Sequence, residues 1–416
     1  MIIQIAEPDI RSKPIESPIA SKTRRPMLPG LDGLRIAAAI AIYFFHVVQA
    51  HDAGLMRFPV LDSLPEPIHR IIGSGYIATG LFFVLSGFLL SYVYLDDGGR
   101  LKGSSKKFWI GRFVRLYPLY FISLLLLAPL PSVMPMIAKK QSLLEVLGGM
   151  STSLTLIQAW IPKFALWWNA PAWALSAMAT FYLVFPRASW WCSSGTRNQI
   201  IRRAAVLSLL SVTPATLYLL INPEGNAWTA VPTTLGGFWL TVVRFHPLCW
   251  LPQFLLGICL GRLHTLALID SRSAVNDPFI DQRSTEGHWF ARSDFALLGL
   301  ALFLGSGDWI PYVLLRHGIC VPLYILLVID VAKGRGIVGR LFAHRWLREF
   351  SIASFPLFAL QMPVGVWFAF MAIGRSTGNG WQLLAMVTVT LATSYVAGRL
   401  LEQYVTRHLK QWVSPR

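Results

Sequence analysis

Two basic side chains interrupt an otherwise apolar run near the start of this 416-residue chain. In LDGLRIAAAIAIYFFHVVQAH, Leu31 to His51, an arginine stands at position 35 and a histidine at position 46. If the run is helical, that separation corresponds to ~16 Å of rise and ~1100° of rotation, within about 20° of three full turns. Arg35 and His46 then share one face. Ionisable groups inside a membrane span are costly and face a protein interior or a water-filled cavity, so a pair on one stripe marks a site. An imidazole with an ordinary pKa of ~6.5 can take and return a proton near neutral pH. Taken singly, each residue also fits a plainer role, Arg35 as a snorkelling anchor and His46 as a satisfied interfacial histidine.

A second basic pair lies in KKFWIGRFVRLYPLY. Arg112 and Arg115, three residues apart, point to one side of a helix and can grip a phosphate together. Lys106 and Lys107, just upstream, fit a plain positive-inside cluster. Further on, WWNAPAWALSAMATFYLVFP carries Asn169, Trp173, Ser176 and Tyr182. Asn169 and Trp173 can line a sugar cleft, or serve as interfacial anchors. The remaining polar groups at depth are Arg244, His246, Gln253, Arg316, His317 and Gln361. Arg316 and His317, in LLRHGICVPLY, have no acid nearby in sequence, which a cavity or an anionic ligand would explain.

The elements that must hold these groups are membrane helices. Hydrophobic residues make up 54% of the chain and charged residues only 14%, with a mean hydropathy of +0.53, the profile of a polytopic membrane protein. A net charge of +17 would point to nucleic acid in a soluble protein. Here the Lys and Arg fall in short loops, so a bilayer and no nucleic acid is expected. Cys192, Cys249, Cys259 and Cys320 show no paired spacing, and neither a disulfide framework nor a metal site is expected.

Apolar runs long enough to cross ~30 Å predict an all-α, polytopic protein with ten transmembrane helices. They lie at roughly residues 34–51, 74–95, 114–131, 168–186, 204–221, 243–262, 293–307, 311–331, 350–372 and 381–404. Gly75, Gly80, Ser86 and Gly87 in the second run suit close helix packing. Residues 132–167, interrupted by Lys139, Lys140, Glu145, Pro162 and Lys163, read as a re-entrant or surface-lying segment. With the N-terminus inside, 29 of the 37 Lys and Arg fall on the cytoplasmic side, which predicts both termini there. Residues 1–30, proline-rich and without a cleavable signal, read as a flexible cytoplasmic tail. Residues 31–405 read as the membrane domain and 406–416 as a C-terminal tail. The polar stretch from Leu263 to Arg292 reads as a mobile connector.

Several segments together resemble the acyltransferase-3 family of membrane O-acyltransferases. They are LDGLRIAAAIAIYFFH, GYIATGLFFVLSGFLLS, GRFVRLYPLY, and SLTLIQAW followed by NAPAWALSAMATFYLVFP. FLLGICLGRL and SIASFPLFALQMPV extend the likeness, which runs from Leu31 to about Val405. The resemblance implies a ten-helix core that moves an acyl group, commonly acetyl, from cytoplasmic acyl-CoA to a hydroxyl of a glycan, a lipid-linked sugar or another outer-side acceptor. It implies a multi-pass protein of the bacterial inner membrane, with acetyl-CoA or another acyl-CoA as donor substrate. On the matching positions, His46 is the catalytic histidine, Arg35 its partner along the first span, and Arg112 with Arg115 the contacts to the CoA phosphates. Asn169, Trp173, Ser176 and Arg316 are the candidates on the acceptor side.

Three departures stand against the family pattern. Met178 occupies a position where glutamate is usual, Trp250 and Gln253 stand where arginine and glutamate are common, and Gln361 replaces a frequent histidine. Two other readings are therefore kept open. One is a transporter or flippase, motivated by Arg244, Arg316 and His317, against which stand the absence of visible repeats and of acidic relays in the spans. The other is a non-catalytic relative that binds the donor without turning it over.

Overall fold

The computed structural model describes residues 25–128, 142–232, 236–275, 290–373 and 377–413. Lys139, Lys140, Arg375 and residues 276–289 of the expected connector lie outside them, whereas residues 263–275 of it are described and helical. Ten helices carry the chain: α1 (Pro29–Asp52), α2 (Ala78–Tyr94), α3 (Ser105–Leu127), α4 (Trp173–Ser193), α5 (Arg197–Ile221), α6 (Pro247–Val275), α7 (Arg292–Ser306), α8 (Val321–Ala332), α9 (Ser354–Phe368) and α10 (Gly380–Val413). Among the described residues no strand forms, and helices satisfy their own backbone groups as a bilayer interior requires. Arg35 and His46 sit toward opposite ends of α1, and the two ends of the bundle are named after them here.

Eight segments are long and apolar enough to cross a membrane by length and composition, and neither α4 nor α7 is among them. Packing nevertheless makes both of them cross. Helices α2 and α6 run in the same direction, with Gly80 beside Gln253, Gly87 against Phe254 and Gly261 against Phe88 and Ser91. Two spans run parallel only when an odd number of crossings separates them. Since α3 and α5 supply two, α4 must supply the third. It does so alongside α6, with the Trp173 ring near that of Trp250, the Phe181 ring stacked on Phe254, and Cys192 near Leu255. In the same way α7 begins where the Ser293 amide donates to Asp330 and ends where Gly305 approaches Pro67 and Ile71. Among the described residues the bundle is thus an all-α polytopic membrane fold in which α4 and α7 run from end to end beside the eight apolar segments.

Glycines set the distance between α2 and α6. A Cβ on Gly87 would fall 2.0 Å from the Phe254 carbonyl oxygen, and one on Gly257 would fall 2.1 Å from that of Val84. The packing role read for Gly75, Gly80 and Gly87 is what the structure shows, whereas the Ser86 hydroxyl bonds back to Phe82 in its own helix. Because backbone cannot yield as a flexible side chain can, Gly87→Ala is expected to destabilise the fold by about 3 kcal/mol. The check is the thermal unfolding midpoint of the detergent-solubilised variant, which should drop by several degrees; an unchanged midpoint would contradict this contact.

Four boundaries differ from the sequence expectation, the first being that α6 runs on to Val275 where a connector was expected from Leu263. Arg25 already docks on the bundle, pairing with Asp97 at 2.8 Å and donating to the Tyr92 carbonyl, and Tyr92 donates to the Pro26 carbonyl. The expected flexible tail 1–30 therefore loses its last six residues to the fold. At the other end α10 continues to Val413, past the expected boundary at 405. Helix α3 starts at Ser105, capped by the Ser104 hydroxyl, so Arg112 and Arg115 lie within the helix rather than at its mouth. Residues 142–172 do not span: a 12-residue helix, Leu143–Leu154, leads into single 3-10 turns, and Lys163 pairs with Glu145.

Candidate active site

Helix α1 presents His46 to a cavity at one end of the bundle. The cavity is a narrow one of about 20 Å³, and its walls include His46, Thr79, Pro171, Trp173, Arg316 and Phe358. Of the residues singled out from the sequence, His46, Trp173 and Arg316 meet there. Four crossings, α1, α2, α4 and α9, and the short helix Tyr312–Arg316 contribute to the wall. Ile42, Phe45 and Phe358 add apolar wall beside these polar groups.

Arg316 is buried, and among the described residues it forms no ion pair. Its guanidinium lies among aromatic faces instead, 5.3 Å from the Trp250 ring centroid, 5.5 Å from Trp173, 5.6 Å from Phe245 and 5.9 Å from Tyr312. Those quadrupoles offset part of the desolvation of the charge. One Nη2 contact of 3.4 Å to the Arg244 carbonyl is weak, and Nε has no partner, so donors remain available. The Trp250 ring, nearest of the four, is one wall of this box. The sequence signal for this box was the unaccompanied Arg316; its aromatic walls come from three other segments and could not be read off.

His46 Nδ1 lies 3.0 Å from Gln361 Oε1 on α9. No carboxylate reaches the ring among the described residues. The other two acceptor-side candidates stand behind the wall rather than in it. Asn169 is buried and donates to the Ser123 hydroxyl and the Ala359 carbonyl, both at 3.0 Å, which ties the loop carrying Pro171 to α3 and α9. Ser176 donates to the Leu156 carbonyl at 2.6 Å and accepts from the Ala159 amide, which fixes the preceding turn.

At the opposite end the basic residues gather. Arg35 donates to the Ser351 carbonyl at 3.4 Å and lies 3.9 Å from Asp32. Arg115, on α3, is close enough to Arg35 and Arg112 for their charges to oppose one another, with Tyr94 and Tyr182 beside them. Arg112 donates to the Tyr94 hydroxyl and sits 4.8 Å over that ring. Arg115 is exposed and has no hydrogen-bond or ion-pair partner among the described residues. Arg35, expected as the partner of His46, belongs by contact with this group and not with the cavity. Three guanidiniums with one nearby carboxylate give this end a net positive charge. Tyr94 and Tyr182 were not singled out for it, since only the packing of α2 and α4 against α3 brings them there.

The described residues hold no cluster of His, Cys, Asp and Glu suited to a metal ion, and all four cysteines are free. What the two ends can do together is hold a polyanion at one and move a proton at the other.

Comparison with known proteins adds the following. A family model described as an acyltransferase domain matches residues 28–399. Acyltransferase MdmB of Streptomyces mycarofaciens is 30% identical over 252 residues, covering 56% of this chain and 57% of the relative. Peptidoglycan O-acetyltransferase OatA of Listeria monocytogenes is 25% identical over 175 residues, covering 39% of this chain and 24% of the relative. A putative O-acetyltransferase of Staphylococcus aureus (strain COL) is 25% identical over 171 residues, with 38% and 24% coverage. The chain thus spans between about a quarter and somewhat over half of these relatives' lengths. No solved structure matches.

Proposed function

The chain belongs to the acyltransferase-3 family, and from that premise we propose that it is a membrane O-acyltransferase moving an acyl group, acetyl in the first instance, from acyl-CoA to a hydroxyl of a cell-envelope glycan or lipid-linked sugar. The observation that carries this reading is the two-ended site along α1: a histidine beside an unpaired arginine in one cavity, and a cluster of arginines at the far end. The ~16 Å between them is of the order of an extended pantetheine arm. The Arg35 end faces the cytoplasm in this reading, and both termini with it. The bias of 29 of 37 Lys and Arg toward that side supports the orientation. The membrane is the bacterial inner membrane, and the relatives named are bacterial.

The residues divide the work as follows. Arg112 and Arg115 hold the phosphates of the donor, and Arg35 adds its charge to theirs. At the cavity, His46 takes the proton of the acceptor hydroxyl as its oxygen attacks the thioester carbonyl. Negative charge develops on the carbonyl oxygen, and Arg316, whose Nε has no other partner, stabilises it. The C–S bond then breaks, the thiolate leaves as free CoA with the proton returned by His46, and the acceptor carries the new ester.

The test uses purified protein in lipid nanodiscs with radiolabelled acetyl-CoA, alongside mass spectrometry of envelope glycans from cells with and without the gene. Saturable binding of label, and an acyl ester that disappears with the gene, are the expected results. A protein that binds no acyl-CoA and leaves the glycans unaltered would favour a transporter instead.

A further inference from the structure

The partner of His46 on α9 decides which ring nitrogen can act. Gln361 is buried, and its amide has two different ends. Its Nε2 is directed at the Phe358 carbonyl, 3.5 Å away one turn earlier in the same helix. A carbonyl only accepts, so the NH2 group must face it, and Oε1 must face His46, as the 3.0 Å contact has it. Oε1 also only accepts, so the ring nitrogen opposite must carry a hydrogen. That nitrogen is Nδ1. Neutral imidazole carries one hydrogen, so Nε2 is left with its lone pair, and it is the ring nitrogen not engaged by Gln361.

We propose that Gln361 is a positioning residue that locks His46 in the Nδ1–H tautomer and so presents Nε2 to the acceptor hydroxyl in the cavity. This rests on the reading of His46 as the base. The glutamine supplies an acceptor and, through Phe358, a fixed orientation of that acceptor. Gln361 differs from a carboxylate or a second imidazole in having no proton of its own to exchange near neutral pH, so His46 exchanges its proton only with the reactants. Among the described residues the charged group acting on His46 is Arg316, a guanidinium that cannot accept a proton.

The experiment compares wild type, Gln361→Met, Gln361→Glu and His46→Ala in steady-state acetyl transfer, with acetyl-CoA binding measured separately. It also records the 15N spectrum of histidine-labelled protein, in which the His46 signal is identified by its loss in His46→Ala. Methionine keeps the length of the side chain and removes the acceptor. Gln361→Met is expected to lower kcat by about 10- to 100-fold, with KM and acetyl-CoA affinity held, and Gln361→Glu to keep most of the rate. The wild-type His46 ring should be protonated at Nδ1 and bare at Nε2, and should lose that preference in Gln361→Met. A wild-type ring protonated at Nε2 overturns the assignment even if the variants do not fold. So does a wild-type kcat in Gln361→Met, or an equal loss in the Met and Glu variants, while His46→Ala is inactive. A fully active His46→Ala would instead remove the reading of the site on which the assignment stands.

Discussion

His46→Ala is expected to lower acyl transfer by about a thousandfold or more, the largest single effect in the molecule. Alanine removes the proton acceptor and leaves the arginine box and the arginine cluster at the far end in place. The loss should therefore fall on kcat, with donor affinity within about twofold of wild type. Folding is not at stake, because His46 is half-buried at a cavity wall and its one side-chain bond is to Gln361. The measurement is initial rate of label transfer in nanodiscs at saturating acetyl-CoA, with size-exclusion elution as the folding control. Transfer at the wild-type rate would strip His46 of its role whatever the family likeness.

The second large effect belongs to the other end. Replacing Arg112 and Arg115 together by alanine removes two guanidiniums from one face of α3. Hydrogen bonds to charged groups contribute roughly 2 kcal/mol each, so donor affinity should fall by about a thousandfold for the pair. Arg115→Ala alone should account for most of its share directly, since Arg115 makes no competing bond, whereas Arg112→Ala also releases Tyr94. Equilibrium binding of labelled acetyl-CoA reads both variants. Affinity unchanged in the double variant would leave the cluster without its ligand.

Much of this site is legible in the amino-acid sequence. The stripe joining Arg35 and His46 follows from helical period alone, and α1 keeps it. The spacing of Arg112 and Arg115 likewise survives, because one helix carries both. What cannot be read there depends on which helix lies beside which. Gln361 stands 315 residues from His46, and its meaning appears only once α9 is known to run along α1. Asn169 and Ser176 are half explained by packing: the Asn169 amide donates to Ser123 and to backbone and Ser176 bonds to backbone, while Asn169 Oδ1 is buried without a partner among the described residues. The crossings are recoverable from apolar runs, including α7, whose 15 residues are short for a span and which only packing shows to run from one end to the other. The extra turns of α10 and the docking of Arg25 are not, since propensity says little about where a polar terminus finds partners.

Contacts between α1 and the segment leading through α9 keep nearly constant register: Arg35 meets Ser351 and His46 meets Gln361, offsets of 316 and 315 residues. The two helices therefore act as a ruler whose graduations are whole turns. A single residue gained or lost between Arg35 and His46 would change the reach by only ~1.5 Å but swing the imidazole by about 100°, out of its cavity and away from its amide. With the donor laid along α1 as proposed, an arm of another length would match this scaffold only in steps of three or four residues, which ties the length of the substrate to the pitch of the α-helix.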